Sequence, residues 1–185
     1  MTEKETMLLN ELFLSDDKEL KEDRKRVQQL LKIYNALMPY ESEERSNIIS
    51  QIISKIGKNS SIYPPFYCDY GYNIVLGENS FINTNCVILD VVNVLIGNHV
   101  LIGPNVTICT ATHPIDISQR KEGYVYGWPI IISDNVWIGA GSIINSGIKI
   151  DENSIIGSGS VITHDIPNNV IAVGNPCKVI KRIQS

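Results

Sequence analysis

The chain has 185 residues, 43% of them hydrophobic and 19% charged, with a formal net charge of -4. That is one ordinary globular domain with a small appendage, not a disordered chain, and the acidic balance argues against nucleic-acid binding by counterion release. No apolar run approaches the roughly 20 residues of a bilayer-spanning helix, and the opening Met1-Thr2-Glu3-Lys4-Glu5 lacks a signal-like apolar core. A cytoplasmic protein with neither a membrane nor a nucleic-acid partner is therefore expected.

Taken in chain order, residues 1–57 carry most of the charge and read as an N-terminal helical region. Between Asp17 and Leu37, the residues Leu20, Val27, Leu30, Leu31, Tyr34 and Leu37 recur at helical spacing among Lys, Glu and Arg. Pro39 ends that pattern. A second run from Ser42 to Ile56 places Ile48, Ile49, Ile52, Ile53 and Ile56 on one face, and Gly57 stands where a helix would stop. Two amphipathic helices follow from this spacing, preceded by a short helix or arm. Their charges read as a solvated face.

Residues 58–185 follow a different rule. Ile132, Ile138, Ile144, Ile150, Ile156 and Ile162 are spaced by six. With 30 isoleucines in the chain, a given start would do this by chance about twice in 100,000, so the repeat is real. Ile96, Ile102 and Ile108 form a second run, and Leu76, Ile82 and Ile88 a third. Turn residues follow many of them, such as Gly77, Gly97, Gly103, Gly139, Asp151 and Gly157. Four residues on stand Ser80, Val100, Val106, Val136, Ser142, Ser154 and Ser160. A period of six fits neither a helix nor a long strand. It fits a chain that bends every six residues and coils as a triangular prism, the aliphatic inside and the small residue at the corner. Stacking by parallel pairing at about 4.8 Å gives about five coils from three hexads each. The alternative, a parallel sheet with crossover helices, needs helical segments that are not expected after Gly57.

The segment between Ile108 and Ile132, CTATHPIDISQRKEGYVYGWPII, breaks the repeat. It is expected to bulge outward as a loop at about 109–129, and such loops commonly carry chemistry. His113 is its one group able to take a proton near neutral pH. Cys68, Cys86, Cys109 and Cys177 form no C-x-x-C pair, and His99, His113 and His164 share no ligand spacing. Reduced thiols and no metal are expected.

With the helical prefix, the segments DYGYNIVLGENSFINTNCVILD, IGNHVLIGPNVTICTATHP, NVWIGAGSIINSGIKI and AVGNPCKVIKRI resemble the hexapeptide-repeat sugar O-acetyltransferases of the maltose and galactoside type. The resemblance covers nearly the whole chain. It implies a mainly β fold, a left-handed parallel β-helix with an N-terminal helical segment. It also implies acetyl transfer from acetyl-CoA to a sugar hydroxyl in a homotrimer, with His113 as general base and the Ala140 N–H on the oxyanion. Matching positions for the acceptor are Asp17, Asp69 and Asn83. For CoA they are Gly103, Trp137, Ala140, Ser158, Thr163, Lys178 and Lys181. At the last two, galactoside enzymes often carry Arg. Galactoside enzymes also carry a second acid after the position of Asp90, where this chain has Val91, and many relatives carry Glu at Val125. The Val91 string leans toward glucosyl acceptors. Other readings stay open: the same chemistry on an antibiotic or cell-wall glycan, a non-enzymatic β-helix scaffold, or a γ-type carbonic anhydrase. The last shares the coil but needs three zinc-binding histidines.

Overall fold

The computed structural model describes residues 1–38 and 40–184. Pro39, read above as a helix stop, lies outside them. Helix α1 (Glu3–Leu8) opens with a capping box, in which Thr2 Oγ1 accepts from Glu5 N and the Glu5 carboxylate accepts from Thr2 N. An extended pair, Phe13–Leu14, leads to helix α2 (Lys18–Tyr34), which buries Leu20, Val27, Leu31 and Tyr34 as one stripe. This helix ends short of the expected Leu37. Asn35 leaves it to clamp the Phe66 main chain, accepting from its N–H at 2.8 Å and donating to its carbonyl at 2.9 Å.

Helix α3 (Ser42–Ile52) corrects the second run, which was expected to stay helical to Ile56. Ile53 is already extended, and Lys55–Ile56 pair in parallel with Val75–Leu76. The same isoleucine spacing serves both structures. Ile49 and Ile52 are buried from the helix, and Ile53 from the extended chain after it. Gly57 is thus a corner of the first coil, its N–H bonded to Leu76 O at 2.8 Å.

From there the chain winds as a parallel β-solenoid with three faces. One face stacks Lys55–Ile56, Ile74–Leu76, Val94–Ile96, Ile130–Ile132 and Lys149–Ile150. The second stacks Ser61–Ile62, Phe81–Ile82, Leu101–Ile102, Trp137–Ile138, Ile155–Ile156 and Val170–Val173. The third stacks Phe66–Cys68, Cys86–Leu89, Thr107–Cys109, Ile143–Ile144 and Val161–Ile162. The register puts aliphatic on aliphatic. Ile62, Ile82, Ile102, Ile138, Ile156 and Ala172 form one buried column, and Ile88, Ile108, Ile144 and Ile162 another. Each such side chain contributes about 1.5–3 kcal/mol on burial. The positions four residues on also face inward, and the serines among them bond to corner carbonyls, as Ser80 Oγ does to Gly97 O at 2.9 Å.

The corners explain the small residues. A Cβ at Gly103 would stand 2.7 Å from Ala140 N in the next coil, closer than the stack can accept. At a second corner Asn59, Asn79, His99, Asn135, Asn153 and Asn169 all adopt positive φ, which asparagine tolerates better than other residues with side chains. Asn135 donates to Asn153 and Asn153 to Asn169, tying successive coils together.

Between Thr107–Cys109 and Ile130–Ile132 the chain makes a long departure from the hexad rhythm. Ala111–Thr112 leads into a short helix, α4 (Ile117–Lys121), capped by Asp116, and Tyr124–Gly127 returns. This helix corrects the expectation of none after Gly57. Tyr124–Gly127 pairs antiparallel with both Ala111–Thr112 and Phe13–Leu14, so the N-terminal arm is stitched to the excursion. A small core of Met7, Phe13, Leu20, Tyr70, Val91, Val92 and Val125 fills the junction. At the far end Lys178–Arg182 turns back antiparallel onto Val170–Val173. All four cysteines are free thiols, and among the described residues no helix is long and apolar enough to cross a membrane.

Candidate active site

The stitched junction opens into a cavity of about 320 Å³ lined by residues from five parts of the chain. Phe13 and Ser15 come from the arm, Arg24 from α2, Asp69 and Tyr70 from the end of the third face's first strand, Val91 from the next coil, and Ala111, His113 and Val125 from the excursion. Two candidates singled out from sequence, Asp69 and His113, therefore meet here. His113 follows Ala111–Thr112 directly and is exposed, while Pro114 behind it is buried.

The polar part of the lining is tied together. Arg24 donates through Nη1 to the Tyr70 hydroxyl and through Nη2 to Ser15 O at 2.7 Å, and its guanidinium lies 5.5 Å from the Tyr70 ring. Burial raises the Asp69 carboxyl above its ordinary range, and the Arg24 charge opposes that rise. Burial also pushes the Tyr70 phenol up to about 12, so it stays protonated. Beneath them Asp90 is wholly buried and is pushed up to about 7 by burial first, with the Asp69 charge adding to the rise and main-chain N–H donors opposing it.

The rest of the lining is largely apolar. Val91 and Val125 are both buried within it, and Val125 sits in register with Phe13. No carboxylate at position 125 is available to orient His113 in this chain.

The remaining candidates lie elsewhere. Asp17 caps α2, accepting from Glu19 N at 2.9 Å and Leu20 N at 3.3 Å, and does not line the cavity. Asn83 is a corner residue whose Oδ1 accepts from Thr84 N at 2.8 Å. Its own N–H bonds Ile102 O, which places it one coil below Gly103 on the same edge. Ala140 and Ser158 continue that edge: Gly139 N bonds Ile156 O, and a Cβ at Gly139 would meet Ser158 N at 2.5 Å. Gly141 N bonds Pro104 O, whereas Ala140 N–H makes no such inter-coil bond among the described residues. Trp137 points outward from the second face, 52% exposed, in register with Leu101 and Ile155. Thr163 Oγ1 lies 3.0 Å from His164 Nδ1 at a different corner. Lys178 and Lys181 are exposed on the terminal strand, and Lys181 lines a cavity of about 450 Å³ with Ile155 and Ile171. None of these lines the His113 cavity of the same chain.

Sequence reading missed Ser15, Arg24, Tyr70 and Asp90. Arg24 was read as part of a solvated helical face. Tyr70 stood within the quoted DYG segment without a role of its own.

Comparison with known proteins defines the class first. Residues 129–164 match the model of the bacterial transferase hexapeptide, six repeats, and residues 6–57 that of the maltose acetyltransferase hexapeptide capping motif. The chain is 42% identical to the galactoside O-acetyltransferase of Escherichia coli, over 97% of this chain and 88% of that one. A crystal structure of a maltose O-acetyltransferase from Clostridium difficile superposes with a TM-score of 0.97 at 47% identity, covering 100% of this chain and 99% of the other. A galactoside acetyltransferase in complex with coenzyme A superposes at 0.94 with 42% identity, covering 100% and 92%. The class is that of the acyltransferases. The chain belongs to the hexapeptide-repeat sugar O-acetyltransferases, the maltose and galactoside acetyltransferase family.

Proposed function

We propose that the chain transfers an acetyl group from acetyl-CoA to a hydroxyl of a sugar, with a lean toward glucosyl acceptors, and that His113 is the general base. The observation that carries this reading is that His113, Asp69, Arg24 and Tyr70 line one open cavity, with Arg24 bonded to the Tyr70 hydroxyl. A sugar hydroxyl is protonated at neutral pH and attacks poorly. His113 takes that proton as the oxygen bonds to the thioester carbonyl carbon. The carbonyl oxygen becomes an oxyanion, for which the free Ala140 N–H is the donor. Collapse breaks the carbon–sulfur bond, and the leaving thiolate takes the proton back from His113. No covalent enzyme intermediate is needed.

Asp69 accepts from acceptor hydroxyls, while Arg24 and Ser15 complete the polar wall. Asp17 and Asn83 remain candidates for the acceptor. The donor lies along the Gly103–Ala140–Ser158 edge and the Trp137 face, with Lys178 and Lys181 on CoA phosphate, and Thr163, at its own corner, is a further candidate. No member of this donor set lines the His113 cavity of the same chain. A homotrimer joins them, setting the excursion of one copy against the second face of its neighbour. Ile115 and Ile117 on the excursion and Leu101 and Trp137 on the second face are exposed apolar groups suited to that contact. Acetyl-CoA with a panel of sugars, read by thiol release, tests the reading; no turnover with any of them would overturn it.

A further inference from the structure

Asp90 is not among the residues that line the His113 cavity, yet it is a carboxyl at 0% exposure. Its Oδ1 accepts from Asp69 N and from Tyr70 N, each at 3.0 Å. Its Oδ2 faces Asn73 N at 3.4 Å, and its own carbonyl accepts from Asn73 Nδ2 at 2.7 Å. Among the described residues it has no ion-pair partner. The neighbouring cation, Arg24, is engaged with Tyr70 and Ser15. Burying a carboxyl without a cation is expensive, and main-chain N–H donors are what offset it here. The two residues whose N–H groups converge on Oδ1 are the two that send a carboxyl and a phenol into the cavity.

Resting on the acetyl-transfer reading of that cavity, we propose that Asp90 is a positioning residue for the acceptor: one buried oxygen fixes the main chain of Asp69 and Tyr70 and so aims both side chains at the sugar opposite His113. Tyr70 in turn anchors Arg24, so a single interior group orders the whole polar wall. Its action falls on acceptor binding and leaves the donor edge, which lies on other coils, untouched.

The test uses Asp90→Leu, which keeps the branched outline in a bulkier form and removes the acceptor, and Asp90→Asn, whose amide oxygen can still take both N–H groups. Two quantities are read on the full chain: amide hydrogen exchange over residues 69–73, and both KM values. Asp90→Leu is expected to speed exchange there and to raise the acceptor KM about tenfold, with the acetyl-CoA KM within about twofold. Asp90→Asn should restore most of both. If Asp90→Leu does not fold, Asp90→Ser, whose shorter hydroxyl cannot span both donors, carries the same test. Unchanged exchange, equal rises in both KM values, or an Asp90→Asn variant as impaired as Asp90→Leu overturns the role. Absence of wild-type turnover on every acceptor instead sinks the acetyl-transfer reading, and the exchange result then reports only whether the clamp exists.

Discussion

His113 is exposed, at the mouth of an excursion rather than in the coil. Removing its ring leaves the isoleucine columns whole, so His113→Ala is expected to lower kcat by about 10²–10⁴-fold with the melting temperature unchanged. Near-normal turnover in that variant would remove it as the base. Asp90 makes a different prediction, about stability. In the fold it is pushed up to about 7, against an ordinary 3.8, mainly by burial. The folded chain thus binds this proton more tightly than the unfolded chain. That contribution is complete below about pH 4 and is lost as pH climbs through 7. Denaturation midpoints at pH 5 and pH 8 should therefore differ more in the wild type than in Asp90→Asn; equal differences would point to another group.

At the scale of elements, the repeat was legible because each coil solves the same packing problem with the same residue. Ile138 shows its energetic side. It is buried between Ile102 and Ile156, so Ile138→Ala should cost about 2–5 kcal/mol, measured by chemical denaturation. The boundary between helix and coil was not legible, because Ile53 and Ile56 continue a helical spacing while serving a strand. The site divided along similar lines. Asp69 and His113 stood out through local strings, DYG and THP. Arg24, 46 residues from Tyr70, and Asp90, about 20 residues from Asp69 and Tyr70, acquire their partners only when coils stack and α2 docks. No local pattern announces such pairs. The terminal strand carries its own prediction. If Lys178 and Lys181 hold phosphate, their double Ala variant should raise the acetyl-CoA KM several-fold, with kcat and acceptor KM little changed. The wild-type acetyl-CoA KM should also rise with salt more than the variant's does. A shift confined to the acceptor KM would place these lysines on the sugar instead.

For the whole molecule, the acetyl-transfer reading predicts that assembly is a condition of activity, because no residue of the proposed donor set lines the His113 cavity of the same chain. Light scattering should give about three times 20.6 kDa, and dilution that dissociates the assembly should abolish turnover. A stable, active monomer would contradict a site shared between copies. The same coil raises a question of length. A stack of near-identical rungs has no inherent end, since each finished coil presents unpaired N–H and C=O groups to the next, as a growing fibril tip does. Here growth is terminated chemically at both poles. Below, α2 packs under the first coil, with the Tyr34 hydroxyl donating to Ile62 O. Above, the second face is reversed by the exposed strand Lys178–Arg182, with three cations along it, while Ile166 bridges onto Ile150 on the first face and the chain at Gly174 and Cys177 bonds to Val161 on the third. The strand Lys178–Arg182 is thus expected to block self-templating, apart from its proposed role on CoA phosphate. A chain cut after Cys177 should polymerise end to end, and its scattering mass should climb with concentration and time.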